Sequence, residues 1–389
     1  MRAQGAVQGR SSMPSDSKHP ARPVATRLDV DDRFTGRGVT IAFLDSGFYA
    51  HPDLTATRHR IKVHHDVTTG VTLKRAVPRP DVSSWHGMMT SVVCAGDGSL
   101  SGGKYRGLAS QADLVLVKVG TAARIRHEDI QQGFEWVRAN REAFGIQVVN
   151  VSCGGDWEGS YLTDPLSRIA EECVRDGLVV VAAAGNSGGQ RGHRVVPPAS
   201  CPAVITVGGL DDAQHGQIDW RGLYHSSHGP TVDGLQKPEI IAPAIWVAAP
   251  ILPGTPTAEQ AKLIADLSRT EDDDTLRALL HATSGVDAEL DALRHAPGPT
   301  LRSLVELKRR DQKVINEHYK HVDGTSFAAP IVSSAVAQML EARPALTPMQ
   351  IKRVLIDTAV RIDDVSPDKQ GWGVVQPASA LARVLSQGG

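Results

Sequence analysis

Short apolar runs punctuate the first half of the chain, at residues 39–44, 113–119, 147–151, 178–184 and 203–207. They are rich in Val and Ile, do not alternate with polar residues, and are bounded by Gly, Asp or Asn. That is the pattern of strands buried on both faces of a parallel sheet. Between the runs the period changes. Residues 127–144 place Ile130, Phe134, Val137 and Phe144 on one side, and residues 164–175 do the same with Leu166, Ile169, Ala170, Cys173 and Val174. Spacings of three and four predict amphipathic helices. Strand alternating with helix predicts an α/β fold with a doubly wound, mostly parallel sheet. Right-handed crossovers then bring the strand C-termini to one edge, where the sites of such folds gather.

Residues 252–321 break this rhythm. Pro250, Pro253 and Pro256 open the segment, and helical spacing then predicts four helices, at 257–268, 274–282, 286–295 and 300–319, with no strand. The last is strongly charged, through Glu306, Lys308, Arg309, Arg310, Asp311 and Lys313. This helical insertion is expected to be either a surface decoration or a lid and docking element, since it ends beside Ser326. Beyond it, 326–343 reads as a long, Ala-rich buried helix, 347–359 as a second helix, and the remainder as coil. The expected organisation is a flexible polar segment, 1–26, followed by one domain, 27–389, that contains the insertion.

Composition narrows the function classes. Apolar residues make up 41% and charged residues 22% of 389 positions, which supports a large core and excludes disorder for the bulk. Lys and Arg number 42 against 43 Asp and Glu, a net charge of -1 that argues against nucleic acid as a partner. No apolar stretch reaches the roughly 18–20 residues of a membrane span. The first residues lack the apolar core of a signal peptide, so a cytoplasmic protein is expected. Cys94, Cys153, Cys173 and Cys201 are far apart with no CxxC pair, and read as reduced core residues.

Four polar residues stand at the ends of the buried elements. Asp45 closes the first strand; a carboxylate there can fix an imidazole in one tautomer and stabilise its cation, or merely cap a turn. His86 stands at the entrance of the apolar run 88–95, a rigid helix suited to hold a general base. His51, His64 and His65 compete with it among 15 histidines. Asn186 closes the run 178–184, where its amide could meet a developing oxyanion or simply occupy a left-handed turn. Ser326 opens the long uncharged helix, whose first-turn N–H groups and dipole suit an anionic intermediate. A plain N-cap serine would not call for Gly324-Thr325 before it.

These residues occur in the order Asp45, His86, Asn186, Ser326, within the blocks Asp45-Ser46-Gly47, His86-Gly87, Ser101-Gly102-Gly103, Gly185-Asn186-Ser187-Gly188 and Gly324-Thr325-Ser326. The chain thereby resembles the subtilisin-like serine proteases, or subtilases, which carry Asp, His and Ser in that order. Its texture is similar to bacterial intracellular members. The resemblance implies Ser326 as nucleophile, His86 as general base, Asp45 as its orienting carboxylate, and the Asn186 side chain with the Ser326 N–H as oxyanion hole. It implies a protein or peptide substrate laid along Ser152, Cys153, Gly154 and Gly155, and a specificity pocket walled by Ala183, Ala184 and Gly185. It also implies that catalysis requires no cofactor. The resemblance admits a structural calcium ion at His51-Pro52-Asp53, near the Gly/Ser-rich loop 96–106 whose carboxylate is Asp97. His64-His65-Asp66 lacks zinc spacing, so no catalytic metal is expected.

Three departures from the family pattern follow. Met88-Met89 stand where the family usually has Thr-His. Cys153 puts a thiol in the substrate-strand segment, which predicts sensitivity to mercurials. The 44 residues before Asp45 are too few for the propeptide domain of secreted members, so the chain is expected either to fold unaided in the cytoplasm or to be restrained by another element, with the insertion as a regulatory or partner-binding element. An α/β-hydrolase built on Ser326 is excluded, because no histidine follows Ser326 and Gly324-Thr325-Ser326-Phe327-Ala328 lacks the second Gly of G-x-S-x-G. A second reading is a catalytically silent protein of this fold that binds partners through the insertion.

Overall fold

The computed structural model describes residues 22–28, 30–190, 194–212 and 222–386. Each predicted apolar run lies in a strand of one sheet. Its members are β1 (Thr40–Asp45), β2 (Ile61–Asp66), β3 (Val71–Lys74), β4 (Asp113–Lys118), β5 (Ile146–Val151), β6 (Val179–Ala183), β7 (Ile205–Asp211), β8 (Gly222–Leu223) and β9 (Ile240–Pro243). The order is β3-β2-β4-β1-β5-β6-β7-β8, with β9 also on β7, and the pairings are parallel except those of β3 and β8. The direction of winding reverses at β1, so its C-terminal end lies at the topological switch point.

Side-chain alternation assigns the faces. In β1, Ile41 and Phe43 join one core while Ala42 and Leu44 join the other; in β6, Val179 and Val181 divide from Val180 and Ala182 in the same way. Helices Ser84–Ala95, Thr325–Ala342, Pro348–Thr358 and Pro377–Ser386 cover the first face. Helices His127–Phe144 and Pro165–Arg175 cover the second. Burial on both sides is why these strands carry no polar alternation. Asp45 shares the parity of Ile41 and Phe43, so it emerges under the Ser84–Ala95 and Thr325–Ala342 helices. A slip of one residue would turn it to the opposite face.

The insertion needs correction. Its helices are Pro256–Arg269, Asp273–Ala282, Ala288–Ala292 and Gly298–Asp311, with an apolar cluster of their own that includes Leu263, Leu267, Leu276, Leu280 and Leu301. It does not end as a helix. Lys313 takes a positive φ of 57°, and Asn316 Oδ1 accepts the N–H groups of His318 and Tyr319 at 2.9 Å each, turning the chain back. Residues Tyr319–Val322 then form β11, antiparallel to β10 (Val247–Pro250). This two-stranded stem packs its β10 strand against the Ser84–Ala95 helix. The C-terminal tail is likewise not coil: Pro377–Ser386 is a helix that buries Ala380, Leu381 and Val384. At the other end, residues 1–21 of the predicted flexible segment lie outside the described residues. Val24–Arg27 form a helical turn pinned by the buried Arg27–Asp212 ion pair.

Candidate active site

Three elements converge at the C-terminal end of β1. The carboxylate of Asp45, 1% exposed, accepts at Oδ1 from the Ser46 N–H (2.7 Å) and from His86 Nδ1 (2.8 Å), and its Oδ2 lies 3.0 Å from the same nitrogen. The Thr90 hydroxyl, one turn further along the helix, lies 3.2 Å from Oδ2 and 3.1 Å from Gly87 O, and can donate to either. With a carboxylate against it, Nδ1 carries the proton and Nε2 is left as the basic nitrogen. Burial pulls the His86 pKa down, but the Asp45 charge and hydrogen bond outweigh it, and the net shift is upward. Gly87 explains the neighbouring position: a Cβ there would lie 2.2 Å from Gly47 O, so only glycine lets the helix come this close to the turn after β1.

Ser326 is the second residue of its helix, and Gly324 precedes that helix with a φ of 140°. The Ser326 N–H is among the first-turn donors that a helix cannot pair internally. Its hydroxyl donates to Ser152 O at 3.1 Å, and the Ser152 hydroxyl donates back to Ser326 O at 2.9 Å. Beneath them, Asn150 Nδ2 donates to Ser152 Oγ and the Ser333 hydroxyl to Asn150 Oδ1, a buried polar chain that ties β5 to the serine helix. The ring of Phe327 lies 5.9 Å from that of His86, which places the imidazole over the start of the same helix.

Asn186 is fixed from the other side. Its Oδ1 accepts both the Thr325 N–H (3.0 Å) and the Thr325 hydroxyl (2.9 Å). A backbone N–H can only donate, so the oxygen must face Thr325 and the NH₂ must face away. Nδ2 accordingly lies 3.7 Å from where a Gly324 Cβ would be, beside the Ser326 turn. Thr325 Oγ1 also accepts the Gly185 N–H (3.1 Å), and His225 Nδ1 contacts Asn186 O at 2.7 Å.

The Subtilase family model matches residues 36–373. The chain belongs to the subtilase family of serine proteases. The serine protease AprX of Bacillus subtilis (strain 168) is 30% identical over 359 residues, covering 89% of this chain and 67% of AprX. Subtilisin E of the same organism is 28% identical over 225 residues, covering 57% of this chain and 51% of subtilisin E. The chain thus spans about half the length of subtilisin E. The Clostridium perfringens CspB protease has the same fold, with a TM-score of 0.67 at 15% identity over 94% of this chain and 98% of that one.

In this subtilase, the segment after β5 differs from its sequence-based description. Ser152 faces the serine helix, so Cys153 faces the other way by simple alternation. Its Sγ reaches Leu44 O at 3.7 Å and packs on the second core. Burial pushes the thiol well above its usual range, and the Asp45 charge adds to the effect. The Gly155 N–H already donates to Pro197 O (2.7 Å), whereas Gly154 is exposed. Added Cβ atoms would meet Val196 at 2.8 Å from Gly154 and His127 at 2.4 Å from Gly155. Ala183 and Gly185 are half-buried, whereas Ala184 is 2% exposed and extends the ladder by donating to Val207 O. Met88 and Met89 are buried in the first core. His51, His64 and His65 lie outside the site; His64 and His65 belong to β2.

Sequence reasoning missed Thr90, Asn150, Ser333 and His225. The first three are polar residues on the first face, and a polar residue inside an otherwise apolar face was the signal available. His225 carried none. Among the described residues no helix is long and apolar enough to cross a membrane.

Proposed function

We propose that this subtilase is an endopeptidase that works through an acyl-enzyme on Ser326. The observation that carries the reading is His86 held through Nδ1 by the buried Asp45 carboxylate while its ring stands over the first turn of the serine helix. His86 Nε2 takes the Ser326 proton as Oγ bonds to the scissile carbonyl carbon. The oxyanion so formed is met by Asn186 Nδ2 and the Ser326 N–H. The C–N bond then breaks as His86 returns the proton to the leaving amine, and water repeats the sequence to release the acid. In the free protein the Ser326 hydroxyl rests on Ser152 O. A substrate N–H that takes Ser152 O would free the hydroxyl to rotate to His86, which accords with the loose catalytic contacts common in unliganded enzymes. Main-chain pairing along Ser152–Gly154 makes few demands on side chains, so protein and peptide substrates of broad sequence are expected.

We assign a gating role to the insertion, because its stem packs on the His86 helix and runs directly into Ser326. Deletion of 256–310, which leaves the stem intact, should change protein turnover more than peptide turnover; unchanged turnover of both would refute the assignment. A reducing compartment suits the four unpaired cysteines. The decisive test is covalent labelling by a fluorophosphonate probe, with peptide mapping, on the wild type and on Ser326→Ala. Label at Ser326 that vanishes in the variant is expected. A folded wild type that takes no label would favour the silent, partner-binding alternative.

A further inference from the structure

The His51-Pro52-Asp53 block is where the family resemblance admits calcium, and its geometry can be tested against that ion. Asp53 is 0% exposed. Its Oδ1 accepts the Leu100 N–H at 3.0 Å and its Oδ2 accepts the Tyr319 hydroxyl at 2.5 Å. Its backbone oxygen accepts the Asp97 N–H at 2.9 Å and Arg60 Nη2 at 2.6 Å. Asp97 turns Oδ1 to Ser99, accepting its N–H at 2.9 Å and its hydroxyl at 2.5 Å. Calcium takes six to eight oxygens at roughly 2.3–2.6 Å, aimed at one point. Here every Asp53 oxygen is aimed at a donor hydrogen, and the buried Arg60 guanidinium on the Asp53 backbone oxygen carries a charge of the same sign as a calcium ion. Among the described residues no group of three or more His, Cys, Asp or Glu is arranged to hold a metal. The donor set does not fit the ion.

We propose that Tyr319, carried by the strand that closes the insertion, occupies with its hydroxyl the place on Asp53 that a calcium ion would take, so that the fold around the His86 helix holds without metal. Tyr319 is fully buried and packs on Tyr105, with ring centroids 5.1 Å apart. Its strand partner, β10, lies against the His86 helix, and Asp53 O receives the Asp97 N–H two residues beyond the end of that helix. One phenol therefore ties the turn after β1, the loop after the His86 helix and the insertion stem. A metal ion would clamp the first two and leave the stem free. The hydroxyl also supplies the partner that a buried carboxylate requires.

The test is thermal unfolding of the full chain, in a Ser326→Ala background that prevents self-cleavage, in calcium chloride and in EDTA, with a calorimetric calcium titration. The same Tm in both solutions and no saturable calcium heat are expected for this parent. Tyr319→Phe, which strands Asp53 Oδ2, should lower Tm by roughly 1–4 °C in both solutions. A parent Tm that rises saturably with calcium, and no longer does so in Asp53→Asn, would overturn the proposal. A Tyr319→Phe chain with the parent Tm would overturn it equally. Should Tyr319→Phe fail to fold, the calcium response of the parent decides between the same two outcomes.

Discussion

Replacing Gly87 by alanine tests how closely the His86 helix must approach the turn after β1. The added methyl would lie 2.2 Å from Gly47 O and 2.8 and 2.9 Å from Phe48 Cε1 and Cδ1. The first atom is backbone, and the Gly47 turn is itself packed, with a Cβ there only 3.0 Å from Ser83 O. Ordinary contact begins near 3.4 Å, so the N-terminal end of the helix must retreat by about 1 Å. His86 is held to Asp45 at 2.8 and 3.0 Å, and a retreat of that size takes both contacts out of hydrogen-bond range. A 1 Å misplacement costs about 10²-fold in rate, or about 2.7 kcal/mol of barrier. Overpacking costs about 1–3 kcal/mol of stability, of which the better helix propensity of alanine offsets about 1. Gly87→Ala should therefore lose about 10²-fold in kcat and in the rate of fluorophosphonate labelling while unfolding only a few degrees lower. Peptide-hydrolysis kinetics and a melting curve on the same preparation measure both. Wild-type kcat in a folded Gly87→Ala protein would refute the claim that this contact sets the position of His86.

Other consequences can be checked with the same assays. Since the Asp45 charge helps to hold the His86 pKa above its ordinary value of 6.5, the acid limb of kcat/KM should lie above pH 6.5. Asp45→Asn should move that limb down and cut kcat by about 10⁴-fold; an unmoved limb would dissociate it from this pair. Asn186→Ala should lower kcat by about 10²–10³-fold with little change in KM, and equal loss in both parameters would argue for a structural role. Burial pushes His51, His64 and His321 down to about 4, so each resists protonation in the fold but not in the unfolded chain. Their contribution, on the order of 3 kcal/mol each, is complete above about pH 6.5 and is lost as pH falls toward 4. A denaturant midpoint unchanged between pH 7 and 4.5 would contradict this. Iodoacetamide at neutral pH should leave Cys153 unmodified and activity intact, where rapid inactivation at this residue would show an open thiol.

Periodicity read the core strands and the helices over 127–144 and 164–175 well, because those elements are long and wholly committed to one environment. It failed where commitment was weak. The β2 strand was taken for a cluster of histidines because its polar residues mask an apolar face. The β10 and β11 strands are four residues each and acquire meaning only as each other's partner. The end of the insertion looked helical because apolar spacing ran on through Val314 and Ile315, whereas the turn that breaks it rests on one asparagine side chain. Cys153 is the opposite case. Alternation from Ser152 already placed its side chain on the far face, and expecting the thiol beside the substrate strand ignored that parity.

Chain order and residue type determined which chemistry the protein carries. Asp45 at a strand end, His86 followed by glycine, and Ser326 after Gly324-Thr325 are local facts, fixed by the conformations those positions impose on a few neighbouring residues. What the tertiary structure alone decided is how those groups are held. Thr325 orients Asn186 from 139 positions away, and Tyr319 reaches Asp53 across 266. Such contacts depend on which surfaces the sheet and its helices press together, and no local pattern records a partner that distant along the chain.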